Sequence, residues 1–280
     1  MSDQPIDISR RRFLIGSAAA GAGLSLGLYL PMAGATSEST ANPEVNAWVM
    51  IQPDEQVIIR IARSEMGQGT LTGLAQIVAE ELECDWSNVT TEYPTPGQSL
   101  ARNRVWGSFS TGGSQGIRGS HQYMREGGAA ARIMLIEAAA EKWEVPVDEC
   151  TVSKGIITHV PSGKTTSYGK VATAAAEMIP PLEVTLKDPK DWKLIGKPLK
   201  RLDTFDKLTG KQVFGTDLKL PGMLNAAIKA CPVFAGTLKT FDDQVARSMP
   251  GVKAVLKVED NAVAVVADTW WQAKQALDKV

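Results

Sequence analysis

The alternation of hydrophobic and polar residues predicts a hairpin followed by a helix where the folded part of the chain begins. Two β-prone runs, 47–51 and 56–62, flank the turn sequence Gln52-Pro53-Asp54-Glu55 and predict the hairpin. From Thr70 to Leu82 the apolar residues recur at helical spacing, which predicts an amphipathic helix. Residues 64–69, which include two glycines, form the turn between the hairpin and the helix.

The middle of the chain predicts short strands and helices around one long irregular segment. A strand is predicted at 89–93 and an irregular segment from 94 to 116. A structureless stretch of that length inside a domain is usually functional or disordered. The alanine-rich run 117–143 predicts a buried helix, and a β pair at 152–160 and a helix at 168–178 follow it.

A proline pair and a charged run predict the main domain boundary. Pro180 and Pro181 precede the polar run 187–191, and we expect the boundary after residue 190. Beyond it, strands and helices are mixed as in a small α+β unit, and we expect the whole chain to be α+β. The strand-like runs are 223–230, 252–258 and 262–267, and the helical runs are 242–248 and 269–279.

The N-terminus carries the pattern of an export signal. Residues 9–14 read S-R-R-R-F-L, in which Arg10 and Arg11 form the pair of a twin-arginine signal. A weakly apolar stretch rich in alanine and glycine follows, and Ala33 and Ala35 then form an A-x-A cleavage site. The pattern predicts a signal peptide over 1–35 and export to the periplasm in the folded state.

Two fates of this signal stay open from the sequence. Cleavage after Ala35 would leave the polar, aperiodic residues 36–46 as a linker ahead of the folded part. Retention would make the apolar stretch a membrane anchor. Glycines dilute that stretch, and spanning segments need about 20 predominantly apolar residues, so cleavage is favoured.

Composition excludes some partners and some metal sites. The 280 residues include 30 basic and 31 acidic side chains, a balance that argues against a nucleic-acid partner. Cys84, Cys150 and Cys231 are widely spaced without a C-x-x-C pair, so we expect small buried hydrophobic residues rather than ligands. Likewise, His121 and His159 do not stand at metal-ligand spacing from each other or from a cysteine. Any metal is therefore expected not to be held by side chains of this chain alone.

Two loops carry the groups that hold an anionic, oxygen-rich cofactor. One precedes the helix at 70–82, where backbone N–H groups lie at the positive end of the helix dipole. The other lies in the irregular segment and offers a hydroxyl, an amide and glycines that let a ligand approach the backbone. The residues are Gly67, Gln68 and Gly69 in the first loop and Gly112, Gly113, Ser114 and Gln115 in the second.

Spacing alone leaves other interpretations of these loops open. A lone G-x-G before a helix is more often a tight turn than a binding loop, and the chain has no phosphate-loop or dinucleotide fingerprint. Glu65 is a candidate general base, although a carboxylate in a turn is more often ionised and solvated. No serine lies in a nucleophile elbow, which excludes a hydrolase of that type.

Several of these runs together resemble one known family. The runs 63–69, 76–82 and 111–114 closely resemble the large molybdenum subunit of the xanthine dehydrogenase superfamily. The likeness is nearest to the isoquinoline 1-oxidoreductase β-subunit type. It continues through 85–86, 127–132, 149–150, 194–198, 201–203 and 221–224.

The resemblance implies a molybdenum hydroxylase. In that family a pyranopterin dithiolene holds the molybdenum, usually as molybdopterin cytosine dinucleotide, and water supplies the oxygen added to an aldehyde or N-heterocycle. Electrons leave through a small subunit with 2Fe–2S clusters, and a cytochrome c is one candidate acceptor. By resemblance, Gln68 with Gly67 and Gly69 belongs to the loop that reaches the molybdenum and pterin. The residues from Gly112 to Gln115 belong to a second cofactor loop.

The resemblance also implies the domain organisation and a departure from it. Residues 47–190 resemble the N-terminal part of the molybdopterin-binding domain, and 191–280 resemble an a/b hammerhead domain. Family large subunits are far longer, and their catalytic glutamate belongs to a portion beyond Val280, so no catalytic residue is assigned. The resemblance therefore implies that this chain works together with the remainder of the molybdenum subunit, which we expect to be one of its partners. The alternative is a truncated, non-catalytic exported domain that binds partner subunits only.

Overall fold

A computed structural model describes residues 43–280 as two compact units. The first unit ends at Leu208 and the second runs from Thr209 to Val280, whereas the sequence predicts a domain boundary after residue 190. Within residues 43–280 no helix is long and apolar enough to cross a membrane. The predicted signal residues Arg10, Arg11, Ala33 and Ala35 lie outside the described residues.

The first sheet contains the predicted hairpin and strand. Strands β1 (Val49–Ile51) and β2 (Val57–Arg60) pair antiparallel, and β2 pairs parallel with β3 (Val89–Glu92). All residues of β1 and β2 are buried; all but Arg60 are apolar, and the charge of Arg60 is paired with Glu44 and Glu92. A parallel pair needs a crossover connection, and helix α1 (Thr70–Leu82) provides it with the bounds that the sequence predicts.

The irregular segment predicted at 94–116 is shorter in the structure. Helix α2 (Pro96–Ala101) lies within it, and α3 (Gln115–Arg118) begins before its predicted end. Thr95 Oγ1 accepts the N–H of Gln98 at 3.1 Å, and Gln98 Oε1 accepts the N–H of Thr95 at 2.7 Å. This reciprocal capping box, with proline at the first helical position, explains why a helix forms there.

Helix α4 (His121–Trp143) packs closely against α1. A Cβ atom on Gly128 would lie 2.5 Å from the carbonyl oxygen of Val78, so only glycine allows this approach. Leu74 of α1 and Met134 and Leu135 of α4 are fully buried in one common core. The helix predicted at 117–143 is therefore confirmed over most of its length, but it begins at His121, and Gly119 and Ser120 separate it from α3.

A second small sheet completes the first unit. Strands β4 (Cys150–Ser153) and β5 (Ile156–His159) form the predicted pair, and β6 (Thr165–Ser167) adds a third antiparallel strand. The helix predicted at 168–178 is reduced to a 3-10 turn followed by α5 (Ala172–Ala176). The unit ends with the short helix α6 (Thr204–Leu208).

The segment after residue 190 belongs to the first unit because Glu80 of α1 binds it. Glu80 Oε2 accepts the backbone N–H groups of Lys193 at 2.8 Å, Leu194 at 2.5 Å and Ile195 at 3.1 Å. Oε1 accepts from the ammonium of Lys187. Burial raises the pKa of Glu80, but these hydrogen bonds and the Lys187 charge outweigh it, and the pKa lies below its ordinary value.

The second unit has the predicted α+β composition. Its antiparallel sheet has the order β7 (Asn225–Ala230), β9 (Ala262–Ala267), β8 (Val252–Val258). Helices α7 (Gln244–Ser248) and α8 (Trp270–Leu277) supply side chains to its core. The fully buried residues of this core are Ala246, Val265, Ala267, Ala273 and Ala276. Its assignment as an a/b hammerhead domain stays a prediction.

Candidate functional site

The first predicted cofactor loop, residues 64–69, connects β2 to the N-terminus of α1. Gly67 has φ 102° and Gly69 has φ 85°, both in the left-handed region that favours glycine. Gly69 is the N-cap of α1, and because it is glycine it has no side chain that could accept an N–H group of the first turn. Met66, Gly67 and Gln68 are exposed. The two glycines therefore shape an exposed turn at the start of a buried helix.

The carboxylate of Glu65 occupies the N-terminus of this helix. It accepts the N–H groups of Gly67 at 2.7 Å, Gly69 at 3.0 Å and Leu71 at 3.0 Å. The sequence predicts that the loop exposes its N–H groups to a ligand, and for Gly67 and Gly69 this is wrong. A carboxylate of the chain itself satisfies them, because negative charge is stabilised at a helix N-terminus.

The environment of Glu65 also decides its protonation. Burial raises the pKa of Glu65, but the hydrogen bonds from Gly69, Leu71 and Gly67 and the charge of Arg201 lower it more. The pKa therefore lies below the ordinary value, and the group is ionised at neutral pH. Only 6% of the side chain is exposed, so the carboxylate is ionised but not solvated. A carboxylate of lowered pKa with this many partners is a poor general base.

An ion cluster near the end of the first unit holds the first loop. Arg201 donates from Nη1 to the carbonyl of Gly67 at 3.0 Å and from Nη2 to Glu65 at 3.0 Å. Its Nε and Nη2 also donate to the two oxygens of Asp203, at 2.9 and 2.8 Å. Lys207 donates to Asp203 at 2.6 Å. Arg201 and Asp203 appear in the sequence only as part of the family likeness, and no local pattern indicates this role.

The amide of Gln68 folds back onto its own loop. Its Oε1 accepts the N–H of Met66 at 2.6 Å, and its Nε2 donates to the carbonyl of Ser64 at 2.9 Å. A primary amide has two N–H donors and two lone pairs, so one of each is left. Gln68 is exposed, and these remaining groups are accessible from solvent.

The structure brings the two predicted cofactor loops together. The N–H of Ser64 donates to Thr111 Oγ1 at 2.9 Å. Arg63 donates from Nη1 to the carbonyl of Ser110 and from Nε to Ser120 Oγ at 3.1 Å. These contacts join the turn before α1 to the turn before α3. The two loops that the sequence assigns separately are therefore neighbours in the structure, and we treat their exposed polar groups as one candidate surface.

The second loop exposes backbone donors. Within residues 43–280, the N–H groups of Gly112, Gly113 and Ser114 have no hydrogen-bond partner, and all three residues are exposed. A Cβ atom on Gly112 or Gly113 would meet no atom within 4 Å, so there is open space above this backbone. Gln115, also exposed, begins α3, and its N–H closes the turn onto the carbonyl of Gly112 at 3.0 Å.

The donor set of this surface fits an anionic, oxygen-rich group. It consists of backbone N–H groups, the hydroxyl of Ser114 and the amides of Gln68 and Gln115. The carboxylate of Glu65, next to this surface, is paired with Arg201 and so repels an anion less. Across residues 43–280, no group of three or more His, Cys, Asp or Glu side chains is arranged to hold a metal ion.

The cysteines and histidines lie in structural positions. Cys84 is buried as predicted, and burial raises its pKa to about 12. Cys150 and Cys231 are only partly buried, so the prediction of burial is wrong for these two. The ring of His159 is held by Ser162 and Glu149, each at 2.7 Å. The ring of His121 lies against that of Trp192, with centroids 6.4 Å apart.

Comparison with known proteins identifies relatives that share this part of the chain. A family model described as a molybdopterin cofactor-binding domain matches residues 4–205. The beta chain of isoquinoline 1-oxidoreductase from Brevundimonas diminuta is 31% identical, over 94% of this chain and 38% of its own length. Membrane-bound aldehyde dehydrogenase (pyrroloquinoline-quinone) from Gluconacetobacter polyoxogenes is 31% identical, over 97% of this chain and 36% of its own length.

A third relative is more distant. One of the subunits of nicotinate dehydrogenase from Pseudomonas putida is 26% identical, over 88% of this chain and 21% of its own length. The chain thus spans 38%, 36% and 21% of the lengths of these three relatives. The matched family model includes both glycine loops and the ion cluster as far as Asp203.

Proposed function

This chain belongs to the molybdopterin-binding subunits of the xanthine dehydrogenase family, and we propose that its two glycine loops together hold part of the molybdenum cofactor. The observation that carries this proposal is the junction of the loops through Ser64 and Thr111. This junction supports the proposal because it makes the loop of Gln68 a neighbour of the loop with the free N–H groups. The cofactor residues of the proposal are Gly67, Gln68, Gly69, Gly112, Gly113, Ser114 and Gln115.

The two loops have different tasks in this proposal. The N–H groups of Gly112, Gly113 and Ser114 bind oxygens of the pterin or its phosphates, because exposed backbone donors favour anions. Gln68 supplies one further donor and one acceptor from the neighbouring loop. Gly67 and Gly69 act indirectly, since their N–H groups bind Glu65 and their left-handed backbone sets the position of Gln68.

We further propose the chemistry of the complete protein. When bound, the cofactor supplies the redox centre at which an N-heterocycle or aldehyde is hydroxylated with oxygen from water. The names of the relatives refer to isoquinoline, aldehyde and nicotinate. The cofactor is proposed to be molybdopterin cytosine dinucleotide. The proposed partners are the remainder of the molybdenum subunit, a small 2Fe–2S subunit and a cytochrome c acceptor.

The proposed location is the periplasm, reached by the twin-arginine route. This route carries folded proteins, and a large labile cofactor inserted in the cytoplasm would require it. Arg10 and Arg11 support the proposal. Replacing both with lysine should leave the protein in the cytoplasm, still loaded with cofactor. Mass spectrometry of the exported protein would show whether it begins after Ala35.

The test of the cofactor proposal is the composition of the purified protein. The chain is isolated from its own host with the subunits that accompany it, and molybdenum and pterin are measured per chain. About one of each per chain is expected. A stoichiometric complex that contains neither overturns the proposal and supports the exported, partner-binding alternative.

A further inference from the structure

The middle of the first loop is held mainly by hydrogen bonds within the loop itself and has few contacts with the rest of the unit. Met66 is 68% exposed, and Gln68 bonds only to other residues of the same loop. Glu65 anchors the start of the loop. Its backbone N–H donates a hydrogen bond to Tyr93 Oη at 3.2 Å, and its carboxylate accepts the N–H of Leu71. A contact from elsewhere in the unit is therefore what connects the backbone between Glu65 and Gly69 to the rest of the fold.

Arg201 supplies such a contact at the middle of the loop. It lies 134 residues beyond Gly67 in the sequence and donates to the Gly67 carbonyl at 3.0 Å. The same guanidinium binds Glu65, so it connects the backbone of the turn to the carboxylate that caps α1. The neighbouring N–H of Leu202 donates to Thr72 Oγ1 at 3.0 Å, which keeps this segment beside the first turn of the helix.

The guanidinium is itself held in a fixed orientation. Asp203 binds it through both oxygens, at 2.9 and 2.8 Å, in the bidentate geometry that suits a planar fork. Asp203 is 8% exposed and also accepts from Lys207. The remaining donors of Arg201 are thereby aimed at Gly67 and Glu65. Lysine, a single ammonium on a flexible stem, could not make all of these contacts at once.

We propose that Arg201 is a positioning residue, which holds Gly67, and through it Gln68, in the conformation that binds the molybdenum cofactor. Asp203 orients Arg201 for this task. This inference rests on the proposed function of the loop. It requires that loss of the guanidinium loosens residues 64–69 while the core of the first unit stays folded, because Arg201 lies at the surface with 35% of its side chain exposed.

The test compares Arg201→Met with the unchanged protein, both isolated as full chains with their accompanying subunits. Hydrogen exchange by mass spectrometry is measured on peptides covering 64–71, and the retained molybdenum and pterin are measured after prolonged dialysis. We expect exchange in this segment to be at least about tenfold faster, because one charge-assisted hydrogen bond is worth about that factor and Arg201 makes two to this loop. Retained cofactor should fall several-fold relative to the unchanged protein. Arg201→Lys should restore part of both properties.

Arg132→Met is the matched control. Arg132 belongs to the same unit and pairs with Glu83 at 3.6 Å, and it donates to the carbonyl of Thr185. Its replacement should leave exchange at 64–71 and cofactor retention unchanged. Melting temperatures of the two variants should be similar, which separates a positioned loop from a destabilised fold.

Three results would contradict the inference in different ways. Unchanged exchange at 64–71 in Arg201→Met overturns it, and so does an equal rise throughout the first unit. Faster local exchange with full cofactor retention shows that the shape of the loop does not matter for binding, which also overturns it. Absence of molybdenum and pterin from the unchanged protein instead overturns the proposed function. Faster local exchange in Arg201→Met would then still show that Arg201 holds the loop.

Discussion

The N–H of Ser64 donates a 2.9 Å hydrogen bond to Thr111 Oγ1, and this bond joins two loops that are 47 residues apart in the sequence. Each loop alone is a common type of turn. Joined, they make neighbours of the loop that carries the exposed amide of Gln68 and the loop that carries the free N–H groups of Gly112 and Gly113. The contact therefore turns two weak sequence signals into one candidate site.

Thr111→Val tests whether this junction matters for the cofactor. The change removes the hydroxyl but preserves the shape of the side chain. Because Ser64 is exposed and water replaces the lost acceptor, we expect a loss of unfolding free energy of no more than about 1 kcal/mol. The molybdenum content of the purified protein should fall clearly. Thr151→Val, on the exposed side of β4, is the control and should retain full molybdenum.

Gln68→Ala should affect turnover and cofactor content more than stability. The side chain is exposed and bonds only within its own loop, so the stability loss should stay below about 1 kcal/mol. Gln56→Ala, at an exposed glutamine of the β1–β2 turn, controls for the loss of an amide. Denaturant unfolding, molybdenum content and turnover of the protein with its accompanying subunits are measured on both variants. A stability loss as large as the loss of activity would indicate that Gln68 only shapes the turn.

Glu65→Gln should destabilise the first unit by about 1–3 kcal/mol at neutral pH, since a carboxylate with several charge-assisted hydrogen bonds becomes neutral. The variant keeps the size of the side chain but weakens the contacts with Gly69, Leu71 and Arg201. Urea unfolding measures the change. An unaltered midpoint would show that the negative charge at the helix N-terminus is unimportant.

Acid should weaken the same cluster. The folded-state pKa of Glu65 is below its ordinary value of 4.5, so its stabilisation is complete above that pH and is lost as the pH falls through the folded pKa. Hydrogen bonds from Arg201 also hold the pKa of Asp203 below its usual range, with the same sign of effect. Unfolding free energy should decrease below pH 4.5. The slope should be shallower in Glu65→Gln, and identical slopes would contradict this assignment.

Glu80→Gln should be among the most damaging single changes in α1. Its side chain is 1% exposed and holds Lys187 and three successive backbone N–H groups from Lys193 to Ile195. Breaking a buried ion pair costs about 3–5 kcal/mol. Denaturant unfolding should show this loss, and limited proteolysis should cleave the segment near Leu194. Lys190→Met, which breaks an exposed pair with Asp188, should change stability by less than about 1 kcal/mol.

Two glycine substitutions should differ although both are Gly→Ala in a helix. At Gly128 the new Cβ would lie 2.5 Å from the carbonyl oxygen of Val78, and we expect a loss of about 1–3 kcal/mol from overpacking. At Gly73 it would meet only the end of the Ile117 side chain at 3.0 Å. That side chain can move, and alanine favours a helix by about 1 kcal/mol, so stability should be nearly unchanged or higher. Thermal unfolding of both variants measures this difference, and equal changes in melting temperature would contradict the prediction.

The local elements of this fold can be predicted from the sequence alone. The periodicity of apolar residues predicts α1 with its observed bounds, the hairpin of β1 and β2, and strands β8 and β9. Such patterns are readable because they reflect hydrogen bonds and side-chain contacts between residues close in sequence. The missed helix α2 is also local, and its capping box at Thr95 and Gln98 is visible in the sequence. The glycine turns and the family likeness are sequence features as well.

The way in which these parts form a candidate site depends on tertiary contacts. Glu65 caps the helix whose N–H groups the sequence leaves open, and Arg201 reaches it from 136 residues away. Glu80 likewise draws Leu194 into the first unit across 114 residues, beyond the predicted boundary. Such contacts depend on where the chain returns after several elements, and a sequence pattern of a few residues does not specify that return. The physical reason is that long-range ion pairs form between groups that packing, not local conformation, brings together.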